Sequence, residues 1–164
     1  MDQKTLDKKI REAVRKYWHT RQSQHERQGT ANGSKDAGNR AAVTGGAHID
    51  GFIALMKELL YESGLKDAEI VVARRSAILP GYFRPTKQWD LLAISGKSLI
   101  GIMEFKSQVG PSFGNNFNNR VEEALGNATD LWKAFREGAF RPSERPWLGY
   151  FMLLEDCPAS VSSV

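Results

Sequence analysis

The chain has 164 residues, 41% of them hydrophobic, which is enough for one domain with its own core. It lacks any apolar run of the roughly eighteen residues a membrane span needs, opens Met1-Asp2-Gln3-Lys4 with no export pattern, and holds only Cys157, so no disulfide framework or thiolate metal site is open to it. These features predict a soluble, unexported, cytoplasmic protein. The formal charge of +4 suits a polyanionic partner, and residues 1–40 hold ten Lys or Arg against five Asp or Glu, which makes the N-terminal segment the best phosphate-facing candidate.

Leu6, Ile10, Ala13, Val14 and Tyr17 recur at helical spacing, so residues 4–19 read as an amphipathic helix. Residues 20–46 are polar and nearly free of apolar side chains, and they read as a long flexible loop, disordered or ordering on a partner. Phe52, Ile53, Leu55, Met56, Leu59 and Leu60 give a second helix over about 48–63, stopped by Ser63-Gly64. Residues 69–74 read as a strand, and Leu79-Pro80-Gly81 with Arg84-Pro85 as a loop.

Residues 89–95 and 98–107 are two further strands around Gly96-Lys97, apolar on both faces as central strands are. A turn-rich stretch, 109–114, leads into a third helix of about twenty residues marked by Phe117, Val121, Ala124, Leu125, Ala128, Leu131, Trp132 and Phe135 and ending near Gly138. Leu148 to Leu154 is a last strand, and Pro158 to Val164 a small-residue tail that reads either as a frayed terminus or as the sign of a longer protein with its C-terminal portion missing. Strand, helix and strand in succession predict a parallel crossover, and the whole an α/β fold in which helices flank a mixed central sheet.

Three charges stand inside the two central strands. A buried carboxylate or ammonium that loses its partner costs about 3–5 kcal/mol, so such groups usually serve one another or a metal. Glu104 and Lys106, two apart, share one strand face. Asp90 joins them only in one register. A two-residue Gly96-Lys97 turn alone sets Asp90 opposite Met103, on the wrong face; a three-residue loop Gly96-Lys97-Ser98 sets it opposite Glu104. The prediction is the three-residue loop, or a bulge of the same effect.

In that register two adjacent carboxylates call for a cation, and hard oxygen ligands suit Mg²⁺, with the backbone carbonyl of Phe105 as a third protein oxygen. Lys106 would hold or help deprotonate a water beside a phosphate, which predicts phosphodiester hydrolysis. A self-satisfied Asp–Lys ion pair is the plain structural alternative.

Asp90 followed by Glu104-Phe105-Lys106 resembles the signature of the PD-(D/E)xK nuclease superfamily, with Trp89 where many members have proline. Residues 104–128, Glu-Phe-Lys-Ser-Gln-Val-Gly-Pro-Ser-Phe-Gly-Asn-Asn-Phe-Asn-Asn-Arg-Val-Glu-Glu-Ala-Leu-Gly-Asn-Ala, resemble the XhoI family of type II restriction endonucleases. The resemblance extends over most of the chain, including Tyr17-Trp18 and the glycine-rich loop. It implies a restriction-endonuclease-like fold and a Mg²⁺-dependent homodimer. Such an enzyme cuts double-stranded DNA within a palindrome, CTCGAG for the family's namesake, leaves 5′ overhangs, and belongs to a restriction-modification system whose methyltransferase acts on the same site without necessarily binding this protein. Asp90 and Glu104 match the metal ligands and Lys106 the catalytic lysine. An early helix often adds a carboxylate in such nucleases; Glu58 or Glu62 could be that group, although a solvated helix face accounts for both.

Gln108, Asn115, Asn116, Asn118, Asn119 and Arg120 follow the catalytic strand at a helix N-terminus, and these residue types pair with adenine and guanine edges, so they are the candidate DNA-binding set. Arg74, Arg75, Arg84 and Lys87 could clamp the DNA backbone, though ordinary surface charge explains each. Two other functions compete: a less specific repair nuclease of the same superfamily, which would smear or nick DNA, and a non-catalytic DNA-binding or assembly fragment, which would bind without cutting.

Overall fold

Helix α1 runs from Gln3 to Gly29, well past the predicted end at residue 19. Asp2 starts it by accepting the Thr5 amide at 2.8 Å, an N-cap contact. Residues 20–28 hold no Gly or Pro, and Gln22 donates to Glu26 at 3.0 Å one turn on. The absence of apolar periodicity there marks a polar stretch of helix, not the loop its composition suggests.

The computed structural model describes residues 1–29, 47–72, 77–110 and 113–161. Residues 30–46 of the loop predicted over 20–46, and Arg74 and Arg75, lie outside the described residues. The structure comprises two compact units, Met1–Lys66 and Asp67–Val164. No helix among the described residues is long and apolar enough to cross a membrane.

In the first unit, a 3₁₀ turn over Ala47–Ile49 leads into α2, Asp50–Glu62. Ala13 and Tyr17 of α1 are buried with His48, Ile49 and Phe52, and the Tyr17 ring meets His48 edge-on at 5.4 Å between centroids. Gly51 lets the two helices approach, since a Cβ there would stand 3.3 Å from the Ala13 Cα. Glu58 pairs with Lys9, and Glu62 with the N-terminal amine at 2.6 Å. Both carboxylates thus have partners inside this unit.

The second unit is built on a four-stranded sheet in the order β1-β4-β5-β6. Its strands are β1 (Glu69–Val72), β4 (Leu91–Ser95), β5 (Ser98–Gln108) and β6 (Trp147–Leu154). The first two pairings are antiparallel and β5–β6 is parallel, so the sheet is mixed as predicted. Helix α3, Phe113–Arg136, makes the crossover between the parallel strands, and α4, Pro158–Val161, is a single turn. A hairpin of β2 (Ile78–Pro80) and β3 (Thr86–Gln88) stands where a plain loop is predicted. Pro80, Gly81 and Pro85 break any longer strand pattern, so two three-residue strands are easily hidden between them.

The β4–β5 register is set by a bulge, the second of the two predicted devices. The turn is the two-residue one, with Ser95 opposite Ser98 and Gly96 at φ 58°, the sign a II′ hairpin requires of its first central residue. The three-residue loop is therefore not what forms. A bulge between the pairs Ile94↔Leu99 and Ala93↔Gly101 then absorbs Ile100 and leaves Leu91 opposite Met103. One step further along, Asp90 stands level with Glu104.

One face of this sheet changes character along its length. Leu92, Ile102 and Leu148 pack with Leu131, Ala134 and Phe135 of α3 around Trp89. Alternation places Glu104 and Lys106, two and four residues beyond Ile102, on the same face, with Tyr150 opposite Glu104. The C-terminal half of α3 thus covers an apolar surface, and its N-terminal half reaches a charged one.

Candidate functional site

Asp90 sits in the bend between β3 and β4. Its Oδ2 accepts the Phe105 amide at 2.7 Å, and its own amide donates to the Met103 carbonyl at 3.1 Å. The carboxylate is therefore tied to the strand that carries Glu104. A residue's N–H and C=O project toward the same edge of a strand, so the Phe105 carbonyl faces the Asp90 edge as well.

Glu104 is 4% exposed and held from both sides. Its Oε1 lies 2.6 Å from the Lys106 ammonium and its Oε2 3.2 Å from that of Lys87. The Lys87 contact lacks hydrogen-bond direction, so it is an electrostatic pairing that leaves Oε2 without a directed donor. Lys87 also stands 4.6 Å over the Trp89 ring, a cation–π contact that helps keep its stem out of water. Its side chain is only 11% exposed, so the surface-charge reading of Lys87 does not hold. Arg84 likewise has an internal partner, Asp130, at 3.0 Å.

Lys106 bridges to a further carboxylate, Glu123 Oε1, at 3.0 Å, and Glu123 Oε2 pairs with Arg120 at 2.7 Å. Three anions, Asp90, Glu104 and Glu123, thus stand among three cations, Lys87, Lys106 and Arg120. Sequence reasoning missed Glu123 in this setting. The Arg120–Glu123 spacing was visible, but nothing in it showed that α3 would bring that carboxylate to Lys106.

Burial pushes the Asp90 carboxyl above the ordinary value; the Phe105 amide opposes this, and the nearby Glu104 charge adds to it. Burial works to lower the Lys106 ammonium, but Glu104 and then Glu123 outweigh it and hold it above the usual lysine value. Lys106 is therefore a firm cation near neutral pH and suits hydrogen-bond donation to a water or a phosphate better than proton abstraction. Glu123 is also pushed up by burial, yet hydrogen bonds from Lys106 and Arg120 leave it below the ordinary range.

A stability prediction follows from Asp90. Its ionisation is harder in the folded chain than in the unfolded one, so its contribution is fully present below the unfolded value of about 4 and is lost as pH rises through the raised folded value. Asp90→Asn should therefore be more stable than the metal-free parent at pH 7, with the gain gone by about pH 3. Urea midpoints at both pH values check this; a less stable variant at pH 7 would contradict it.

Among the described residues no group of three or more His, Cys, Asp and Glu is arranged to hold a metal. A cation here would rest on Asp90 and Glu104 with the Phe105 carbonyl and water. That donor set fits Mg²⁺, which keeps several waters. The undirected Glu104 Oε2 and the repulsion between the two carboxylates favour such an ion; Lys87 and Lys106 would have to yield part of their hold on Glu104.

The candidate DNA-binding residues separate by environment. Gln108 is 4% exposed and its Nε2 donates to the Phe113 carbonyl at 2.6 Å, so it braces the turn into α3 and does not face outward. Asn118 and Asn119 are exposed, and Arg120 is half-buried against Glu123. Asn115 and Asn116 lie in helical backbone, and their side chains fall outside the described residues.

The sequence profile of the restriction endonuclease XhoI family matches residues 27–164. The type II restriction enzyme AbrI of Azospirillum brasilense is 51% identical over 154 residues, covering 94% of this chain and 68% of that protein. BstVI of Geobacillus stearothermophilus is 55% identical over 135 residues, 79% of this chain and 60% of that one. XhoI of Xanthomonas vasicola is 43% identical over 165 residues, all of this chain and 65% of that one. The chain thus spans about 60–68% of the length of these relatives. No solved structure matches the chain. On the extent and identity of these matches, the chain belongs to the XhoI family of type II restriction endonucleases.

Proposed function

We propose that this chain carries the catalytic centre of a site-specific endonuclease with a PD-(D/E)xK fold. It hydrolyses phosphodiester bonds of double-stranded DNA at a palindrome, CTCGAG by family resemblance, as part of a restriction-modification system. The observation that carries this reading is the bulge at Ile100, which sets Asp90 level with Glu104 on the face that also bears Lys106. Without it the two carboxylates would stand on opposite faces.

Asp90, Glu104 and the Phe105 carbonyl are the groups to hold Mg²⁺. When bound, Mg²⁺ supplies charge neutralisation at the scissile phosphate and acidifies a water. The Phe105 amide fixes the Asp90 carboxylate, and Glu104 is oriented by its two lysines. Lys106, held as an ammonium, donates to the attacking water or to a phosphate oxygen and offsets the charge that builds as the water oxygen–phosphorus bond forms and the phosphorus–oxygen ester bond breaks.

Asn118 and Asn119 are the exposed candidates for base contact, with Arg120 beside them. A homodimer would match a palindrome by its own two-fold symmetry. The test is digestion of a plasmid of known sequence with Mg²⁺ and mapping of the ends. Discrete fragments ending within CTCGAG are expected; smears or structure-dependent nicks would indicate a less specific nuclease, and Mg²⁺-independent binding with no cutting a non-catalytic domain. With Ca²⁺ in place of Mg²⁺, binding without cleavage is the expected result.

A further inference from the structure

We propose that Glu123 is a positioning residue that keeps the Lys106 ammonium in the site when Glu104 turns to a divalent cation. The inference rests on the nuclease reading above and deepens it.

Lys106 has two carboxylate partners of different kinds. Glu104 lies two residues away on the same strand, is almost fully buried, and would have to share its oxygens with a metal. Glu123 comes from α3, a separate element, and reaches the strand lysine from there. The ammonium lies 2.6 Å from Glu104 and 3.0 Å from Glu123.

A dication on Glu104 changes the balance. A divalent ion exerts on the ammonium twice the repulsion that a single positive charge would at the same distance. Lysine is a flexible four-carbon stem, and one anchored by Glu104 alone would swing toward water. Glu123 offers an anchor outside the metal's own ligands. Arg120 holds its second oxygen at 2.7 Å, and Arg120 is steadied in turn through its carbonyl, which accepts the Tyr150 hydroxyl at 3.3 Å. An isolated exposed i,i+3 pair is worth little. This one matters because its carboxylate reaches across to a strand lysine.

The test compares wild type, Glu123→Gln, Lys106→Met and the double variant on a duplex bearing the mapped site. Glu123→Gln should lower the single-turnover cleavage rate by about 10–100-fold, the usual effect of removing a group that orients a metal-site residue. Mn²⁺ affinity should stay within about twofold of wild type, because Asp90, Glu104 and the Phe105 carbonyl are left unchanged. In the Lys106→Met background the same change should cost nothing further, whereas a merely structural role would add. A readout free of turnover is acetylation of Lys106 in the Ca²⁺-loaded protein, followed by mass spectrometry; modification should rise several-fold in Glu123→Gln.

Unchanged cleavage and unchanged acetylation in Glu123→Gln would overturn the inference. So would a loss of Mn²⁺ affinity as large as that of Glu104→Gln, which would make Glu123 a ligand. If Asp90→Ala, Glu104→Ala and Lys106→Ala all cut normally, the nuclease reading itself fails. If those three are dead and Glu123→Gln is normal, only the positioning role fails.

Discussion

Asp90→Ala, Glu104→Ala and Lys106→Ala are each expected to lower the DNA cleavage rate by at least about a thousandfold while leaving DNA binding measured without a divalent ion within a few-fold of wild type. The size follows from the several kcal/mol that a bound metal or a placed cation contributes at a phosphoryl transition state, at about 1.4 kcal/mol per tenfold in rate. The three variants reach the loss by different routes. Asp90→Ala removes one of two carboxylates and frees the Phe105 amide; Glu104→Ala strands Lys87 and Lys106 without their shared partner. Lys106→Ala leaves Glu104 with Lys87 and Glu123 with Arg120, so it should cost the least in stability and still cost activity. Single-turnover cleavage with gel-shift binding measures both quantities. Normal cutting by any one variant would remove that residue from the machinery.

The parts of this site that the sequence exposes are those set by short spacing. Glu104 and Lys106 share a face because strands alternate, and α3 announces itself through Val121, Ala124, Ala128, Leu131 and Phe135. The position of Asp90 needed one bit of information, odd or even register. A turn and a bulge supply that bit together, and a bulge leaves no composition signal at Ile100. Lys87 was hidden for another reason. It lies in a three-residue strand between Pro85 and Trp89, where the breakers dominate the pattern, although Thr86-Lys87-Gln88-Trp89 could have been read as a short strand ending on a buried aromatic. The reassignment of Gln108 shows the limit of residue-type arguments. An amide suited to adenine is equally suited to a backbone carbonyl, and only burial separates the two uses.

A large loss of stability is also expected beside the site, at Asp130. This carboxylate is 2% exposed, and its Oδ1 accepts the amides of Tyr82 and Phe83 at 2.9 and 2.7 Å. Its Oδ2 accepts Arg84 Nε at 3.0 Å, and Arg84 also donates to Asn127 Oδ1 at 3.0 Å. One side chain on α3 thus fastens the tip of the β2–β3 hairpin, the element that carries Lys87 to Glu104. Asp130→Ala leaves two backbone donors and a guanidinium, 39% exposed, without their acceptor, and each donor left without a partner costs about 1–3 kcal/mol. Gly81→Ala strikes the same joint from the other side, because its Cβ would stand 2.6 Å from Asp130 Oδ2 and 2.8 Å from the Arg84 carbonyl; overpacking of that kind costs about 1–3 kcal/mol. Urea unfolding should therefore rank wild type above Gly81→Ala and Gly81→Ala above Asp130→Ala. Asp130→Asn separates charge from geometry, since it keeps an oxygen for the two amides and weakens only the Arg84 contact. A midpoint for Asp130→Asn close to that of Asp130→Ala would mean that the ion pair, and not the amide contacts, holds the hairpin tip.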